Sequence, residues 1–505
     1  MLSRRFTRRD FLKGAAVIGG GILAGCAPAP ATPVVIEKVV EVTPVAEEPR
    51  FDGVTLNLLW HPGEIIPIIA KQEEYIKEKY GITFKIHESP SDISQQESLK
   101  DWRAGGGTYD IVMHFPRYNG ELATGYLRPL DDLIVKYNAQ PLFDNIVDTY
   151  RILYTQWGGQ TIAVPVDGDV AMLYYRKDAL ENPDYQKKFK EKYGYDLAVP
   201  RTWEQFMDIA EFFTGWEWGD TGKPGYGFQT STWDRAFIEQ QWAPMMASAG
   251  GNWFDADMNP MINEGGAGAR ALTDLKYLLD YAPENSISLS WGETMETVFA
   301  NDVALVLWYM DLGRLGMSEK SWFAQSGSVE KYQKFGFALW PGYEVNGVYR
   351  NFNSMFYGRV VGISKFSEYP DACFQVFKVL LTPERRVLSM DDPQSGSDMF
   401  LKTDYDPAVF KVLSPSAEYL NVAKQVLSNG FPEMQLPGTS EYMDVLQGGL
   451  HSFLTGRETD ANKVMQDVAD RWNEITDRWG RELQKRYWAE VRSRYKKAGL
   501  KIAGV

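Results

Sequence analysis

The chain has 505 residues, of which 53 are lysine or arginine and 67 are aspartate or glutamate, so its formal net charge is −14. With 44% hydrophobic and 24% charged residues, it is neither a disordered chain nor a multi-span membrane protein. The acidic balance leaves no cationic excess for a phosphate backbone, and no nucleic-acid partner is expected. Two cysteines support neither a disulfide scaffold nor, by themselves, a structural zinc site.

The first 26 residues have the pattern of an export signal. A basic segment precedes an apolar run over residues 14–24, which is too short to span a membrane. The basic segment, Thr7-Arg8-Arg9-Asp10-Phe11-Leu12-Lys13, resembles a twin-arginine signal, whose machinery exports folded proteins. Leu23-Ala24-Gly25-Cys26 resembles a bacterial lipobox, which implies that the Cys26 thiol is acylated and anchors the protein to a membrane. The alternative is an ordinary secretory signal that happens to precede a cysteine.

The segment after the signal has the composition of a tether. Residues 27–50 are rich in Ala, Pro, Thr, Val and Glu, and proline stiffens such a chain and removes N–H donors. Removal of residues 1–26 takes away five cations and one anion, which changes the net charge from −14 to −18. The remaining cysteine, Cys373, lies in an apolar helical pattern and is predicted to be a core residue rather than a reactive thiol.

Strands and helices alternate at the start of the globular body. Strands are predicted over residues 54–60, 82–87 and 109–115, with helices over residues 64–80 and up to residue 103 between them. This alternation is typical of βαβ units and of an α/β fold with a parallel sheet. Ligands of open α/β sheets bind beyond the carboxyl ends of the strands, where Trp60, His61, His114 and Phe115 fall in this sequence.

Further strands are predicted later in the chain, and most other segments after residue 236 have a helical pattern. The predicted strands are residues 161–166, 170–175, 226–229, 303–308, 335–339 and 359–363. Thr202 and Gln205 have the spacing of a helix capping box. Apolar residues at helical spacing over residues 464–491 predict one long helix packed on the body. No internal repeat and no separating linker occur after Arg50, so any lobes are intimately joined.

Common catalytic and cofactor motifs are missing. Phosphate-binding loops, G-x-S-x-G, H-E-x-x-H and C-x-x-C do not occur, and the G-x-G-x-x-A match at residues 266–271 is predicted to be a helix-opening turn. His61 and His114 could meet at one sheet edge, but they lack further ligands nearby. The sequence therefore predicts neither a cofactor nor a metal site.

Carboxylates and tryptophans are the remaining candidates for function. Asp167 and Asp169 lie two residues apart after a strand, and paired carboxylates are also what a glycosidase needs. Several of the 16 tryptophans stand beside turn residues, namely Trp60, Trp233, Trp253, Trp308 and Trp340. Aromatic faces together with carboxylates suit a sugar ring, because the faces supply apolar contact and the carboxylates accept hydrogen bonds from hydroxyls. A sugar binder and a secreted sugar-cleaving enzyme both remain open at this point.

Five motifs in order carry a resemblance to a known family. They are Gly107-Thr-Tyr-Asp-Ile-Val with Gly125-Tyr-Leu-Arg-Pro-Leu, Gly159-Gln-Thr-Ile-Ala-Val-Pro165 with Leu173-Tyr-Tyr-Arg-Lys-Asp178, Pro200-Arg-Thr-Trp-Glu, Phe299-Ala-Asn-Asp-Val-Ala-Leu, and Gly362-Ile-Ser. This order resembles the extracellular solute-binding proteins of ABC importers, in particular the carbohydrate-binding group similar to maltodextrin-binding proteins. The chain departs from the family pattern at three positions, where Tyr109 replaces a proline, Arg176 an asparagine and Asp302 a glycine.

The resemblance implies a two-lobed periplasmic-binding-protein fold of type II, with the ligand in a cleft between two α/β lobes. It implies that residues 51–166 and 342–403 form one lobe and residues 167–341 and 404–505 the other, with crossings near Val166–Val170 and Trp340–Gly342. The ligand-binding residues that it implies, taken with the patterns above, are Trp60, His61, Glu64, His114, Arg117, Asp167, Asp169, Thr232, Trp233, Asp234, Trp308, Asp311, Trp340 and Tyr442.

The function implied is that of a non-enzymatic, lipid-anchored monomer outside the cytoplasm, which delivers a carbohydrate to ABC permease subunits. Two alternatives stay open: a secreted glycoside hydrolase or lyase, and a binding protein for a solute other than a sugar.

Overall fold

The fold was analysed in a computed structural model, which describes residues 48–91, 93–232, 237–322, 324 and 328–505. The predicted signal with Cys26, and the predicted tether up to residue 47, lie outside the described residues. Residues Pro49–Val505 form one compact unit.

Each of the nine predicted strands is present in this unit to within a few residues, and the described residues form six further strands that were not predicted. They are β1 (Thr55–Trp60), β2 (Thr83–Glu88), β3 (Ile111–His114), β4 (Gln156–Trp157), β5 (Gln160–Thr161), β6 (Val164–Asp167), β7 (Ala171–Arg176), β8 (Tyr226–Thr230), β9 (Val303–Tyr309), β10 (Phe335–Ala338), β11 (Gly342–Val345), β12 (Val348–Asn351), β13 (Asn353–Met355), β14 (Arg359–Ile363) and β15 (Gly430–Pro432). The hairpin of β11 and β12 was not predicted, although Asn346-Gly347 is a strong hairpin signal and both residues have positive φ.

Helices surround the strands. The first are α1 (Pro67–Ala70), α2 (Glu73–Tyr80), α3 (Ser94–Arg103), α4 (Asn119–Ala123), α5 (Asp131–Lys136), α6 (Gln140–Asp144), α7 (Asp148–Leu153), α8 (Lys177–Leu180), α9 (Pro183–Tyr193), α10 (Trp203–Phe212) and α11 (Glu239–Ser248). The later ones are α12 (Ala267–Leu279), α13 (Trp291–Ala300), α14 (Met310–Leu315), α15 (Ser328–Tyr332), α16 (Pro370–Leu381), α17 (Pro383–Met390), α18 (Ala417–Val426), α19 (Thr439–Leu454), α20 (Ala461–Trp479) and α21 (Arg481–Lys497). Across the described ranges, no helix combines the length and apolar character needed to cross a bilayer.

Two separate sheets organise the core. The first has the order β2-β1-β3-β14-β6, in which β1, β2 and β3 are parallel and β14 runs antiparallel to both β3 and β6. The second has the order β10-β7-β9-β8, in which β7 is antiparallel to β9 and β10. The chain passes from the first sheet to the second between Asp167 and Ala171, and we call this region the junction.

Local signals account for several helix ends. The predicted capping box of α10 is confirmed, because Thr202 Oγ1 accepts from the Gln205 N–H while the Gln205 side chain accepts from the Thr202 N–H. The helix-opening turn is also confirmed, since α12 begins directly after Gly266, which has a φ of 82°. Cys373 is completely buried in α16, and burial raises the pKa of its thiol.

The prediction of a single long C-terminal helix was wrong. Gly480 has φ 92° and ψ 97°, which separates α20 from α21, and the neighbouring Trp479 and Leu483 are each 40% exposed. The apolar spacing continues across the break because each helix packs separately on the body. Periodicity therefore could not reveal the turn, whereas the glycine was its only local sign.

Two departures from the family pattern compensate each other. Arg176 Nη1 donates to Asp302 Oδ1 at 3.2 Å, and both side chains are almost completely buried. The pair lies at the end of the second sheet opposite to Ala171 and Tyr309, which are paired at the junction. The two substitutions therefore introduce a structural ion pair and leave the junction between the sheets unaffected.

Candidate ligand-binding site

Strand direction brings a group of polar residues to the junction. Strands β1, β3 and β6 all run toward it, and they end at Trp60, His114 and Asp167. Strand β14 runs the opposite way and therefore begins there, with Arg359 paired to Asp167. Parallel strand ends at one edge are where ligands of α/β sheets bind.

The strand pairing of the second sheet brings two further aspartates to the junction. Ala171 of β7 is paired with Tyr309 of β9 in antiparallel fashion. Asp169, two residues before Ala171, and Asp311, two residues after Tyr309, therefore emerge side by side. The second sheet thus directs two carboxylates toward the edge of the first.

Arg359 is the cation at the centre of the junction. Its Nη1 forms an ion pair with Asp167 Oδ2 and lies 3.2 Å from Asp169 Oδ2. The two carboxylates raise the pKa of the Arg359 guanidinium although burial opposes this. The Nε atom of Arg359 is buried and has no acceptor.

Four completely or almost completely buried aspartates meet around this arginine, and we call Asp167, Asp169, Asp311 and Asp398 the aspartate cluster. The Asp398 N–H donates to Asp167 Oδ1 at 2.6 Å, and the Asp311 N–H donates to Asp398 Oδ2 at 3.0 Å. Carboxylate oxygens of Asp167, Asp169 and Asp398 lie within 4.8 Å of one another. One oxygen each of Asp169, Asp311 and Asp398 is buried without a partner, namely Oδ1, Oδ2 and Oδ1.

Burial and mutual repulsion make Asp169, Asp311 and Asp398 weak acids. Desolvation, followed by the charges of Asp167 and Asp398, raises the pKa of Asp169 well above its usual range, and desolvation raises that of Asp398 in the same way. Desolvation also raises the pKa of Asp311 to about 7, although Arg314 opposes the effect. The cluster therefore gains from any group that supplies positive charge or donates hydrogen bonds.

The two histidines at the junction are neutral. Burial lowers the pKa of His61 well below its usual value, with Arg359 and His114 adding to the effect, and burial lowers the pKa of His114 to about 4. Their Nε2 atoms pair with Ser94 Oγ and Asn119 Oδ1, both at 2.9 Å. Both Nδ1 atoms are buried without a partner.

A second charged group lies beside the cluster, and we call Arg117, Glu239, Glu433 and Tyr357 the Arg117 group. Arg117 Nε donates to Glu433 Oε1 at 2.7 Å, and Nη1 donates to Glu239 Oε1 at 3.3 Å. The guanidinium carbon stands 4.4 Å from the centroid of the Tyr357 ring, a cation–π distance. Tyr357 has a φ of 66°, which is uncommon for a bulky residue and frequent near binding sites. The group joins the end of β3 to α11, β15 and the segment before β14.

The structure brings together seven of the predicted residues: His61, Glu64, His114, Arg117, Asp167, Asp169 and Asp311. Glu64 is half-buried, its carbonyl accepts from the Gly396 N–H at 2.9 Å, and its charge acts on both Arg359 and Asp311.

Trp60, Thr232 and Trp308 lie at strand ends or beyond them as buried residues. Trp60 Nε1 donates to the Ile65 carbonyl at 3.2 Å, and Thr232 Oγ1 donates to the Ser286 carbonyl at 3.2 Å. The Trp308 ring packs 5.5 Å from that of Trp291, and its Nε1 has no acceptor.

Trp340 and Tyr442 are not brought to the junction. The Trp340 ring packs on Trp203 at 6.1 Å, next to β11. Tyr442 lies in α19, where its hydroxyl pairs with Thr476 Oγ1 at 2.8 Å and its ring packs on Trp472. Both are core residues in the structure. Trp233 and Asp234 lie outside the described residues.

Sequence reasoning missed five residues of the site: Arg359, Asp398, Glu239, Glu433 and Tyr357. Arg359 carried one local sign, since a charged residue heads the otherwise apolar strand Arg359-Val-Val-Gly-Ile. The others come from loops or from a helix start, where no periodic pattern separates a site residue from a surface residue.

Comparison with known proteins identifies the family. Residues 62–386 match the model of a family described as bacterial extracellular solute-binding protein. The chain is similar to an ABC transporter solute-binding protein from Agrobacterium radiobacter in complex with ribitol (TM-score 0.67, 22% identity, 84% of this chain and 100% of that chain). It is also similar to the maltose-bound MalE3 protein of T. maritima (TM-score 0.64, 20% identity, 84% of this chain and 100% of that chain). A third similar structure is the Thermus thermophilus maltotriose-binding protein with bound maltotriose. Its TM-score is 0.58 at 18% identity, and the alignment covers 85% of this chain and 100% of that chain.

These neighbours share the two-lobed α/β architecture, which confirms the fold predicted from the motif order. The matching family is one of solute-binding proteins outside the cytoplasm rather than of enzymes. The family model covers well over half of the chain, and it includes the junction and most of both sheets. The chain belongs to the family of bacterial extracellular solute-binding proteins.

Proposed function

We propose that the protein binds a sugar or a related polyhydroxy solute at the junction and delivers it to the permease of an ABC importer, without changing it chemically. Family membership supports the role in transport, and the ribitol, maltose and maltotriose named for the neighbours support the class of solute. The observation that carries the proposal is the set of buried, unpartnered polar atoms of Asp169, Asp311, Asp398 and Arg359. Buried polar groups are normally paired, and a hydroxyl-rich ligand supplies both donors and acceptors.

The proposed site consists of the aspartate cluster, the Arg117 group, Arg359, Glu64 and the two buried histidines. It draws residues from both sheets, so a solute held there would stabilise the closed arrangement of the two lobes relative to an open one. The proposed lobes are residues 51–166 with 342–403, and residues 167–341 with 404–505. Closure would then mark the protein as loaded when it meets the permease.

The proposed cellular arrangement follows from the N-terminal sequence. The twin-arginine pattern at Arg8 and Arg9 would export the folded protein, and acylated Cys26 would anchor it as a monomer to the outer face of the membrane. Residues 27–50 would then act as the tether. Mass spectrometry of membrane-extracted protein tests this arrangement, and an unacylated Cys26 still joined to residues 1–25 would refute it.

A thermal-shift screen of sugars and polyols tests the proposed ligand class. A ligand at about 100 times its Kd adds roughly 2.7 kcal/mol to the free energy of unfolding. The site variant is Asp169→Asn, which replaces one carboxyl oxygen by an amide nitrogen and keeps the shape of the side chain. Its matched control is Asp196→Asn, because the Asp196 side chain is 81% exposed and pairs only with the surface residue Lys190.

The stabilising sugar is expected to bind Asp169→Asn about 10- to 100-fold more weakly than the parent, because a hydrogen-bond acceptor for the ligand is lost. It is expected to bind Asp196→Asn as tightly as the parent. Equal affinity of all three proteins would remove Asp169 from the site, and stabilisation by peptides but by no sugar would overturn the ligand class.

The enzymatic alternative is tested by incubation of the protein with oligosaccharides and chromatography of the mixture. Asp167 is poorly suited to general acid catalysis, because one oxygen accepts from the Asp398 N–H and the other is paired with Arg359. A solute-binding protein returns the oligosaccharide intact, whereas shorter products would establish a hydrolase or lyase.

A further inference from the structure

When its carboxyl groups are ionised, the aspartate cluster holds more negative charge than the neighbouring arginines balance. Arg359 compensates Asp167 and Asp169, and Arg314 acts on Asp311 and Asp398. Arg386 is a third buried guanidinium, whose charge acts on Asp404 as well as on Asp167 and Asp398. Glu64 adds a further carboxylate that acts on Asp311. The groups around the cluster thus comprise six acids and three arginines: Glu64, Asp167, Asp169, Asp311, Asp398, Asp404, Arg314, Arg359 and Arg386. In the ligand-free protein, protons relieve this excess, because burial and mutual repulsion raise the pKa of Asp169, Asp311 and Asp398. A bound ammonium group would take the place of these protons, which a neutral sugar cannot do.

The unpartnered atoms define what kind of group would complete the cluster. Asp169 Oδ1, Asp311 Oδ2 and Asp398 Oδ1 are buried acceptors without donors. The other oxygen of each residue already has a donor. Asp169 Oδ2 accepts from Arg359, Asp311 Oδ1 accepts from the Leu312 N–H at 2.7 Å, and Asp398 Oδ2 accepts from the Asp311 N–H at 3.0 Å. Carboxylate oxygens of Asp169 and Asp398 lie within 4.8 Å of each other, and Asp311 contacts Asp398 through its N–H. An ammonium group has three N–H donors, one for each of these three carboxylates.

One donor at the same place is also unpaired. Arg359 Nε is buried without an acceptor, and its Nη1 lies 3.2 Å from Asp169 Oδ2. An arginine N–H cannot be satisfied by an ammonium, which has no acceptor. The ligand must therefore offer an oxygen acceptor close to its cationic group.

We infer that the transported solute carries a protonated amino group beside hydroxyl groups, as an amino sugar or an aminated polyol does, and that its ammonium binds Asp169, Asp311 and Asp398. This inference rests on the proposed function and narrows its ligand class. A hydroxyl next to the amino group accepts from Arg359 Nε, so one end of the solute satisfies all four unpaired atoms.

A divalent metal ion fits the same residues less well. Calcium takes six to eight oxygen ligands and magnesium six. Both oxygens of Asp167 and one oxygen each of Asp169, Asp311 and Asp398 already have partners in the protein. The guanidinium of Arg359 also stands against Asp169, where it would repel a dication.

Titration calorimetry with matched pairs of probes tests the inference on the purified protein. The pairs are D-glucosamine with D-glucose, D-galactosamine with D-galactose, and 1-amino-1-deoxy-D-glucitol with D-glucitol. Within at least one pair, the aminated probe is expected to bind about tenfold tighter or more. Asp311→Asn is expected to bring this preference close to one, whereas the surface control Asp196→Asn, which changes the net charge equally, keeps it.

The possible outcomes separate the inference from the function on which it rests. Neutral probes that bind as tightly as their aminated partners would overturn the inference and leave sugar binding standing. Absence of binding by both members of every pair would overturn the inference, whereas the proposed function is decided separately by the thermal-shift screen of sugars and polyols. A rise in melting temperature with calcium chloride alone, lost in Asp398→Asn, would replace the ammonium with a metal ion and so overturn the inference. An aminated probe that binds the parent more tightly than it binds Asp311→Asn would support the inference.

Discussion

Replacement of Asp311 by asparagine is expected to stabilise the ligand-free protein at alkaline pH and to change little at acidic pH. Desolvation raises the pKa of this carboxyl from the ordinary 3.8 to about 7, with Asp167 and Glu64 adding to the effect. A carboxyl whose pKa is raised in the folded protein contributes stability below pH 4, and that contribution is lost as the pH rises toward 7. Asparagine keeps the shape and can accept the Leu312 N–H through its own oxygen, but it never ionises.

The magnitude follows from the shift. A difference of about three pKa units, at about 1.4 kcal/mol per unit, corresponds to about 4 kcal/mol between pH 4 and pH 8. The gain is smaller than this, because Asp169 and Asp398 share the same electrostatic environment and ionise more readily once Asp311 is neutral. The expected gain at pH 8 is therefore a few kcal/mol, and the expected change at pH 4 is below about 1 kcal/mol.

Urea unfolding followed by tryptophan fluorescence at pH 4, 5.5, 7 and 8 measures this difference. Asp196→Asn serves as the control, because its exposed side chain is not expected to give a pH-dependent difference. A difference in the free energy of unfolding between Asp311→Asn and the parent that is the same at every pH would refute this prediction. It is equally refuted when the variant is less stable than the parent at pH 8, since ionised Asp311 would then be favourably paired.

Three further outcomes are expected. Arg117→Met should destabilise the protein by about 3–5 kcal/mol in urea unfolding, because Glu433 and Glu239 remain buried without their cation, and a loss below 1 kcal/mol would contradict the ion pairs. Gly480→Ala should lower the free energy of unfolding by about 1–3 kcal/mol, because the φ of residue 480 is 92° and an alanine is strained there. The added Cβ meets no atom closer than 3.9 Å, so backbone strain is the whole effect. An unchanged urea midpoint would mean that α20 and α21 can join. Cys373 should react with a thiol reagent only after unfolding, because burial raises its pKa, and rapid labelling of the native protein would contradict its place in the core.

Much of the fold was predictable from local pattern. Strand β14 was predicted with its observed bounds, because a run of apolar and mostly β-branched residues stands between turn residues. The capping box of α10 was predictable because both of its hydrogen bonds involve residues three apart. Where the pattern was ambiguous, as across Gly480, the prediction failed, because packing of each helix on the body maintained the apolar spacing.

The site was predictable only in part. Asp167, Asp169 and Asp311 follow strand ends, which is a position that sequence can indicate. Trp340 and Tyr442 were chosen as aromatic residues near turns or by family position, but such rings pack equally well in a core, as theirs do against Trp203 and Trp472.

The sequence by itself determined that this is an acidic α/β protein of the extracellular solute-binding family, because composition, strand and helix patterns and motif order are local properties of the chain. Only the tertiary structure decided that Arg359 and Asp398 join Asp167, Asp169 and Asp311 in one buried cluster. These residues are distant in sequence, and strand register together with the route of a loop brings them together. Their excess of negative charge, which bears on what solute the protein binds, is a property of that assembly and of no single segment.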